Sequence, residues 1–355
     1  MVGYKEYLKS IRSLHDDAVK QAQKRVDSLA KPLGSLGKLE KIAIQLSGIT
    51  GEVKNKINKK CVIVMSADNG IVEEGVASTP QNVTLIQSIN MVKSLTGISA
   101  LSKQADADVK VIDIGINSDV CYQGIINKKI KKGTANFAKG PAMTKEEAEK
   151  AIDIGIEITS GLINEGYDLI GTGEMGIGNT STSSAVVMSF TGQPAEAAVG
   201  RGGGLTDKAF ENKKSVIEKA VKLNNPNKKD PIDVLSKVGG LDIAGLVGCY
   251  IAAAYHRVPI VMDGVISATA AMVAIKLNPV IKEYIIPSHV SLEPSYNIIV
   301  DELGMDPLLL MDMRLGEGTG CPLTFHIIES ACSMMNHMAT FEEATIDNKY
   351  LVDIR

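Results

Sequence analysis

The sequence predicts an α/β protein in which a parallel sheet is covered by helices, and two patterns carry that prediction. Short β-branched runs recur between helical stretches: Cys61 to Ser66, Val109 to Gly115, Tyr167 to Gly171, Val258 to Asp263, Tyr284 to Pro287 and Pro307 to Asp312. Alternation of this kind is the signature of strands buried on both faces by crossover helices. Most of the runs are also followed by Gly, Asp, Ser or Glu rather than by ordinary turn residues, and open α/β sheets bind ligands at the carboxyl ends of their strands.

The remaining elements follow in order. Residues 1–58 read as amphipathic helices interrupted by Lys31-Pro-Leu-Gly-Ser-Leu-Gly37, and residues 321–346 as another helix. The expected organisation is a large α/β domain over 59–320 and a small helical subdomain formed by 1–58 plus 321–355. A helix over Asp207 to Leu223 leads into the polar connector Asn224 to Pro231. The apolar stretch Ile243 to Tyr255 stops at His256 and Arg257, short of the roughly twenty residues that span a bilayer, and reads as a buried helix. The basic run Lys128 to Lys132 reads as a solvated face, and no fixed-period repeat is present.

Composition narrows the classes. A chain of 355 residues with a net charge of −3 and 4% aromatic residues has neither the basic footprint nor the stacking platform of a nucleic-acid binder. Its five cysteines are odd in number and scattered, which suggests neither a disulfide framework nor a zinc site and points to a reducing compartment. An N-terminus with Lys5, Arg12, Asp16 and Asp17 at helical spacing contains acids and lacks the uninterrupted apolar core of a secretory segment, so the cytoplasm is expected, with no membrane partner. No metal or other cofactor is called for.

Three glycine-rich segments carry the chemistry. Gly171-Thr-Gly-Glu-Met-Gly-Ile-Gly-Asn-Thr180 follows a strand-like run and precedes a helix expected near Ser183. Closely spaced glycines there let backbone N–H groups approach a phosphate. It contains a G-x-G-x-x-G but no acid ending a strand about twenty positions on, which leaves a dinucleotide-dependent oxidoreductase as a weak alternative. Val199-Gly-Arg-Gly-Gly-Gly-Leu-Thr-Asp207 sets Arg201 among glycines as a cationic fork. Arg314-Leu-Gly-Glu-Gly-Thr-Gly320 presents Glu317 as a candidate general base. Asp263 ends an apolar strand but could equally cap the next helix. His289 has no evident partner and is given no role, and Met334, Met335 and Met338 read as core filler.

Six ordered segments together resemble the nicotinate-nucleotide:dimethylbenzimidazole phosphoribosyltransferase family of cobamide biosynthesis: Lys31–Gly37, Gly173–Asn179, Val199–Gly202, Asp263-Gly264 with Ile266–Ala268, Ser288–Ser291 and Arg314–Gly320. The resemblance implies a Rossmann-like large domain and a dimer with its active site near the subunit interface. It also implies Glu317 as the base and Glu174 as the second site carboxylate. Gly176, Gly178, Asn179, Arg201, Gly202, Gly203, Lys213 and Arg314 would surround the donor phosphate, Asp263 and Ser291 the nicotinate and ribose side, and Ser78, Thr79, Gln87 and Leu315 the acceptor.

The implied reaction moves ribose 5-phosphate from nicotinate mononucleotide to an aromatic acceptor, giving the α-ribotide of a cobamide lower ligand and releasing nicotinate. Departures from the family pattern fall mainly on the acceptor side: Ala77-Ser-Thr-Pro80 where Ser-Ala-aromatic-Pro is usual, and Asn69 where histidine is common. Glu293-Pro-Ser-Tyr-Asn297 replaces Glu-Pro-Gly-His, and Gly203 replaces threonine. The acceptor therefore stays open between 5,6-dimethylbenzimidazole or a related base and phenol or p-cresol. The assembly stays open between a homodimer and a heterodimer with a related chain, in which this chain could be a silent or partner-dependent subunit.

Overall fold

Consecutive Val and Ile residues, as in Val62-Ile63-Val64, stiffen the strands and supply both faces of the sheet with apolar side chains. The computed structural model describes residues 3–349 and 351–353. Met1, Val2, Tyr350, Ile354 and Arg355, among them the outer limits of the expected helical subdomain, lie outside the described residues. Six strands form one sheet: β1 (Lys60–Ala67), β2 (Ala107–Gly115), β3 (Ile125–Asn127), β4 (Leu169–Met175), β5 (Ile260–Met262) and β6 (Ile285–Pro287). Their order is β3-β2-β1-β4-β5-β6 and every neighbouring pair is parallel. This is the Rossmann order, with its direction of winding reversing between β1 and β4.

The helices are α1 (Tyr4–Ser10), α2 (Asp16–Ser28), α3 (Lys38–Thr50), α4 (Val83–Val92), α5 (Gly97–Gln104), α6 (Lys145–Asn164), α7 (Asn179–Thr191), α8 (Ala195–Ala198), α9 (Asp207–Asn224), α10 (Pro231–Val238), α11 (Leu241–His256), α12 (Val265–Leu277), α13 (Pro294–Leu303) and α14 (Gly320–His337). The period-two pattern of β1 splits the core cleanly. Ile63 and Met65 face the side covered by α6, α11 and α12, whereas Val62 and Val64 face the side covered by α3 and α14. Helices α2 and α3 meet α14 and the segment after it on that second side, where Leu29 bridges to Thr340. Helix α1, by contrast, packs on α11 and α6.

Several expectations are corrected. Pro307 to Asp312 is not a strand. Leu309 makes a single bridge to His289, Leu308 is half-buried against the core, and Leu310 beside them is 84% exposed, so the segment runs along the surface. The three-residue edge strand β3 was not anticipated, being too short for a periodic signal. Helix α7 starts at Asn179 rather than near Ser183, because the hydroxyl-rich stretch Ser181–Ser184 is buried in the fold. Helix α14 stops at His337, and the chain beyond it turns back through Ala339 and Phe341 to bond Ala30 and Ser28. The basic run is not simply solvated: Lys128, Lys129, Lys131 and Lys132 pair with Glu157, Asp113, Glu147 and Asp119.

Helix α11 runs against α6 with almost no side chain between them. A Cβ on Gly155 would lie 1.9 Å from the Gly245 carbonyl oxygen, and one on Gly248 would lie 2.0 Å from that of Ile152. These are backbone contacts that cannot yield by a rotamer change. Gly155→Ala is therefore expected to lower unfolding free energy by about 2–3 kcal/mol, the usual cost of overpacking a tight interior, as read from urea denaturation midpoints.

Candidate active site

Where the winding reverses, the segments leaving β1, β4, β5 and β6 enclose a cavity of about 410 Å³, completed by residues 201–205 and 314–317. Every residue singled out in the sequence for catalysis, donor or acceptor lines it, from Ser78 and Thr79 on one side to Ser291 and Arg314 on the other. The segment Lys31–Gly37 does not. Its Lys31 is buried in an ion pair with Glu40 at 2.8 Å, and Glu40 also accepts the Leu36 N–H, so the motif closes its own turn.

Glu317 sits in a run of left-handed residues, with φ of 82° at Gly316, 62° at Glu317 and 94° at Gly318. A left-handed residue with a side chain costs about 1–2 kcal/mol, and such strain concentrates at functional sites. The conformation turns the carboxylate inward, where Oε1 accepts from Gln87 Nε2 at 2.8 Å and Oε2 from the Ile98 N–H at 3.2 Å. The loop rests on bare strand: a Cβ on Gly173 would lie 2.4 Å from the Glu317 carbonyl oxygen.

Asp263 clamps the same loop. Its Oδ2 accepts the Gly318 N–H at 3.0 Å and its Oδ1 the Gly320 N–H at 2.7 Å. It thus holds the first N–H of α14, a helix distant in sequence. Burial raises the Asp263 pKa, opposed chiefly by His289. His289 does have partners: Nδ1 is 2.9 Å from Ser288 Oγ and 3.8 Å from Asp263 Oδ1, and its ring stacks on Tyr296.

Glu174, at the end of β4, is buried beside this loop and accepts the Glu317 N–H at 3.3 Å. Burial, and then the carboxylate of Asp242, push its pKa up to about 8. Asn179 donates its amide to Glu174 and to Asp242, so that side chain is engaged with carboxylates. Gly171 and Gly173 lie within β4. Of the first glycine segment, only the turn at Gly176 and Gly178 offers backbone to a ligand, which removes the geometry that a dinucleotide fingerprint requires.

Across the cavity the charge changes sign. Lys213 on α9 is completely buried, and its Nζ bonds Thr180 Oγ1 at 2.8 Å and the Gly200 carbonyl at 3.0 Å. Desolvation pulls its pKa down to about 8. Gly202, at φ 54°, brings its backbone beside that ammonium, and its N–H donates to Glu293 Oε1 at 3.1 Å. The Arg201 guanidinium does not project as a free fork. It bonds the Leu205 carbonyl at 2.9 Å, pairs with Asp207 at 2.6 Å and lies over Phe210. Arg314 and Leu315 are exposed at the rim.

Ser78 and Thr79 face Gly203, whose missing Cβ would lie 3.7 Å from Ser78 Oγ. Ser291 is buried, and its Oγ accepts the Glu293 N–H at 3.4 Å. Sequence reasoning missed Asp242, which reads as an ordinary first-turn acid of a buried helix, and the contact of Glu293 with the glycine loop. The missing signal for both is a partner remote in the chain.

A parallel sheet in this order, with carboxylates on one wall of its crevice and a buried lysine with glycine amides on the other, is the framework of a phosphoribosyltransferase. A family model of that description matches residues 11–346. The chain is 54% identical over 99% of its length to the nicotinate-nucleotide–dimethylbenzimidazole phosphoribosyltransferase of Clostridium perfringens (strain ATCC 13124), covering 97% of that protein. It is 52% identical over 96% of its length to that of Acetivibrio thermocellus, again covering 97%. The solved structure of CobT from Thermus thermophilus superposes with a TM-score of 0.90 at 36% identity, covering 94% of this chain and 99% of that one. The chain belongs to the nicotinate-nucleotide–dimethylbenzimidazole phosphoribosyltransferase family.

The buried lysine has a measurable signature. Its folded pKa, about 8, lies below the ordinary lysine value, so between those two pH values the unfolded chain binds more protons and stability rises with pH. Relative to Lys213→Met, the native protein should gain up to about 1.4 kcal/mol per pH unit above pH 8. Urea midpoints of both proteins at pH 7.5 and 9.5 test this, and a constant difference would contradict the burial account.

Proposed function

We propose that this chain is a pentosyltransferase that moves ribose 5-phosphate from nicotinate mononucleotide to an aromatic base, with release of nicotinate. The observation that carries the reading is Glu317: a carboxylate held by Gln87 and the Ile98 N–H in a left-handed loop over the crevice. Donor nicotinate is already a pyridinium, so the C1′–N bond can break without a general acid, leaving positive charge at C1′. The acceptor nitrogen forms the new bond from the opposite face, which inverts C1′ and gives the α-ribotide. As that bond forms, the acceptor N–H becomes strongly acidic and Glu317 takes the proton. Glu174 and Asp263 place further carboxylate oxygens beside the developing cation, in a low-dielectric site where such interactions count most.

The donor phosphate is assigned to the cationic wall, with Lys213 and the amides of Gly176, Gly178 and Gly202 as its partners and Arg314 at the rim. A phosphate entering there competes with Glu293 for the Gly202 N–H. Ser291 falls on the nicotinate side, and Ser78, Thr79, Gln87 and Leu315 on the acceptor side. The relatives are named for dimethylbenzimidazole, and that base is the acceptor we assign, by a cytoplasmic protein. Among the described residues no helix is long and apolar enough to cross a membrane. We take the working unit as a homodimer, because Leu310, Met311 and Leu315 are more than half exposed close to the cavity mouth.

Incubation with nicotinate mononucleotide and, separately, dimethylbenzimidazole, adenine, phenol or p-cresol, followed by chromatography of nicotinate and ribotide, tests the reaction and names the acceptor. Absence of nicotinate release with all four from folded protein would sink it. In the same assay Glu317→Gln should lose roughly a hundredfold or more in kcat, the usual share of a general base, with donor KM changed little.

A further inference from the structure

Beneath Glu174 lies a carboxylate that the reaction just described does not use. Asp242, in the first turn of α11, is completely buried. Its Oδ1 accepts the N–H of the next residue, Ile243, at 3.0 Å. Its Oδ2 has a different partner. It faces Asn179 Nδ2 at 3.3 Å, and that same nitrogen donates to Glu174 Oε2. One amide NH₂ therefore supplies one hydrogen to each of two buried carboxylates. On the far side of Glu174, Oε1 accepts the Glu317 N–H at 3.3 Å. The bonds run without a break from α11 to the residue that carries the base.

The surroundings leave Asp242 little freedom. A Cβ on Gly240 would lie 2.3 Å from its Oδ1, and one on Gly176 would lie 3.0 Å from its Oδ2. Both glycines are thus required for the carboxylate to fit. Asn69 lies against the same two positions, at 2.7 and 3.2 Å, and its buried amide atoms have no partner of their own. A completely buried carboxylate is costly to retain when a cap exposed to water would serve the helix as well.

We propose that Asp242 is a positioning residue of this transferase, orienting Asn179, and through it Glu174, so that Glu174 holds the N–H of Glu317 and with it the left-handed base loop. The proposal rests on the transferase reading above and goes beyond it, because Asp242 touches no reacting atom. Burial raises both acids, Asp242 to about 7 and Glu174 to about 8, and Asp242 is the leading charged contributor to the rise at Glu174. Asp263 also bears on Glu174, and Asp68 on Asp242, both as acids that raise. Glu317, Lys213, Arg201, Arg314 and His289 line the same cavity. Neutralising Asp242 removes a like charge, so the titration of Glu174 moves to lower pH.

Asp242→Asn keeps the shape and the acceptor for Ile243 but presents an NH₂ to the NH₂ of Asn179. Donor then meets donor, and the bond from Asn179 to position 242 is lost while its bond to Glu174 remains, so Asn179 is no longer held from the α11 side. The experiment measures nicotinate release against donor concentration and pH for the native protein, Asp242→Asn, Glu174→Gln and the double variant, with circular dichroism on each. Expected is a fall in kcat of tenfold or more with donor KM within about twofold, the pattern of lost transition-state geometry. The limb of the kcat profile belonging to Glu174 should move to lower pH, and Asp242→Asn should add less than about twofold in the Glu174→Gln background. A folded Asp242→Asn with native kcat and an unmoved profile overturns the proposal, as does a full additive loss on top of Glu174→Gln. Should Asp242→Asn fail to fold, Asn179→Ser breaks the bridge while leaving the Asp242 bond to Ile243 intact, and native kcat in that variant overturns the proposal equally. A native protein that releases no nicotinate would instead remove the transferase reading itself.

Discussion

The base loop lies directly on the backbone of a central strand, and the rest of the site depends on that contact. Gly173 must lack a side chain for the Glu317 carbonyl to reach β4, and Gly171 must lack one for Cys321 and Phe325 of α14 to pack over it. Asp263 satisfies two of the loop's N–H groups, holding Gly318 and Gly320 together. That clamp fixes where α14 begins, and α14, together with α3, covers one face of the sheet. The position of the base and the packing of one side of the sheet are therefore set by the same few atoms.

Charge is partitioned across the crevice in a way that suits the assigned reaction. Glu174 and Asp263 are buried on one wall with Asp242 behind them, and all three have raised pKa values from desolvation, while Lys213 on the other wall is depressed by the same cause. Each group on its own is in its less comfortable state. A ligand that carries a dianion at one end and a cation at the other relieves both walls at once, whereas a neutral ligand relieves neither. Nicotinate mononucleotide has that distribution, and the cation at C1′ intensifies as its glycosidic bond breaks.

Much of this was legible in the sequence, and what was not has identifiable physical reasons. The strands β1, β2 and β4 show as apolar runs because they are buried on both faces, and their ligand-facing ends show as Gly, Glu and Asp. The Pro307–Asp312 run has the same composition but lies at the surface, and composition alone does not report burial. The first glycine segment reads as a loop following the Tyr167–Gly171 run, whereas the strand continues through Gly173 to Met175. The missing side chains of Gly171 and Gly173 make room for another part of the chain, a requirement invisible without the partner. Arg201 illustrates the same limit: its position among glycines is plain in the sequence, while its capture by Asp207 and Phe210 is not.

The proposed donor and acceptor sides of the cavity differ in how tightly their residues are constrained, and this bears on where specificity can change. Glu317, Glu174, Asp263 and Lys213 are each buried and bound to remote segments, so a substitution at any of them disturbs several others. Ser78 and Thr79 sit on an exposed or half-exposed loop, and across from them Gly203 leaves open space with no atom closer than 3.7 Å to a Cβ placed there. Leu315 is at the rim with most of its surface free. Side chains of different size and polarity can be exchanged at these positions without breaking a buried hydrogen bond. The departures from the family pattern at 77–79 and 203 fall in this permissive region, which is where a change of acceptor can occur while the transfer chemistry stays the same.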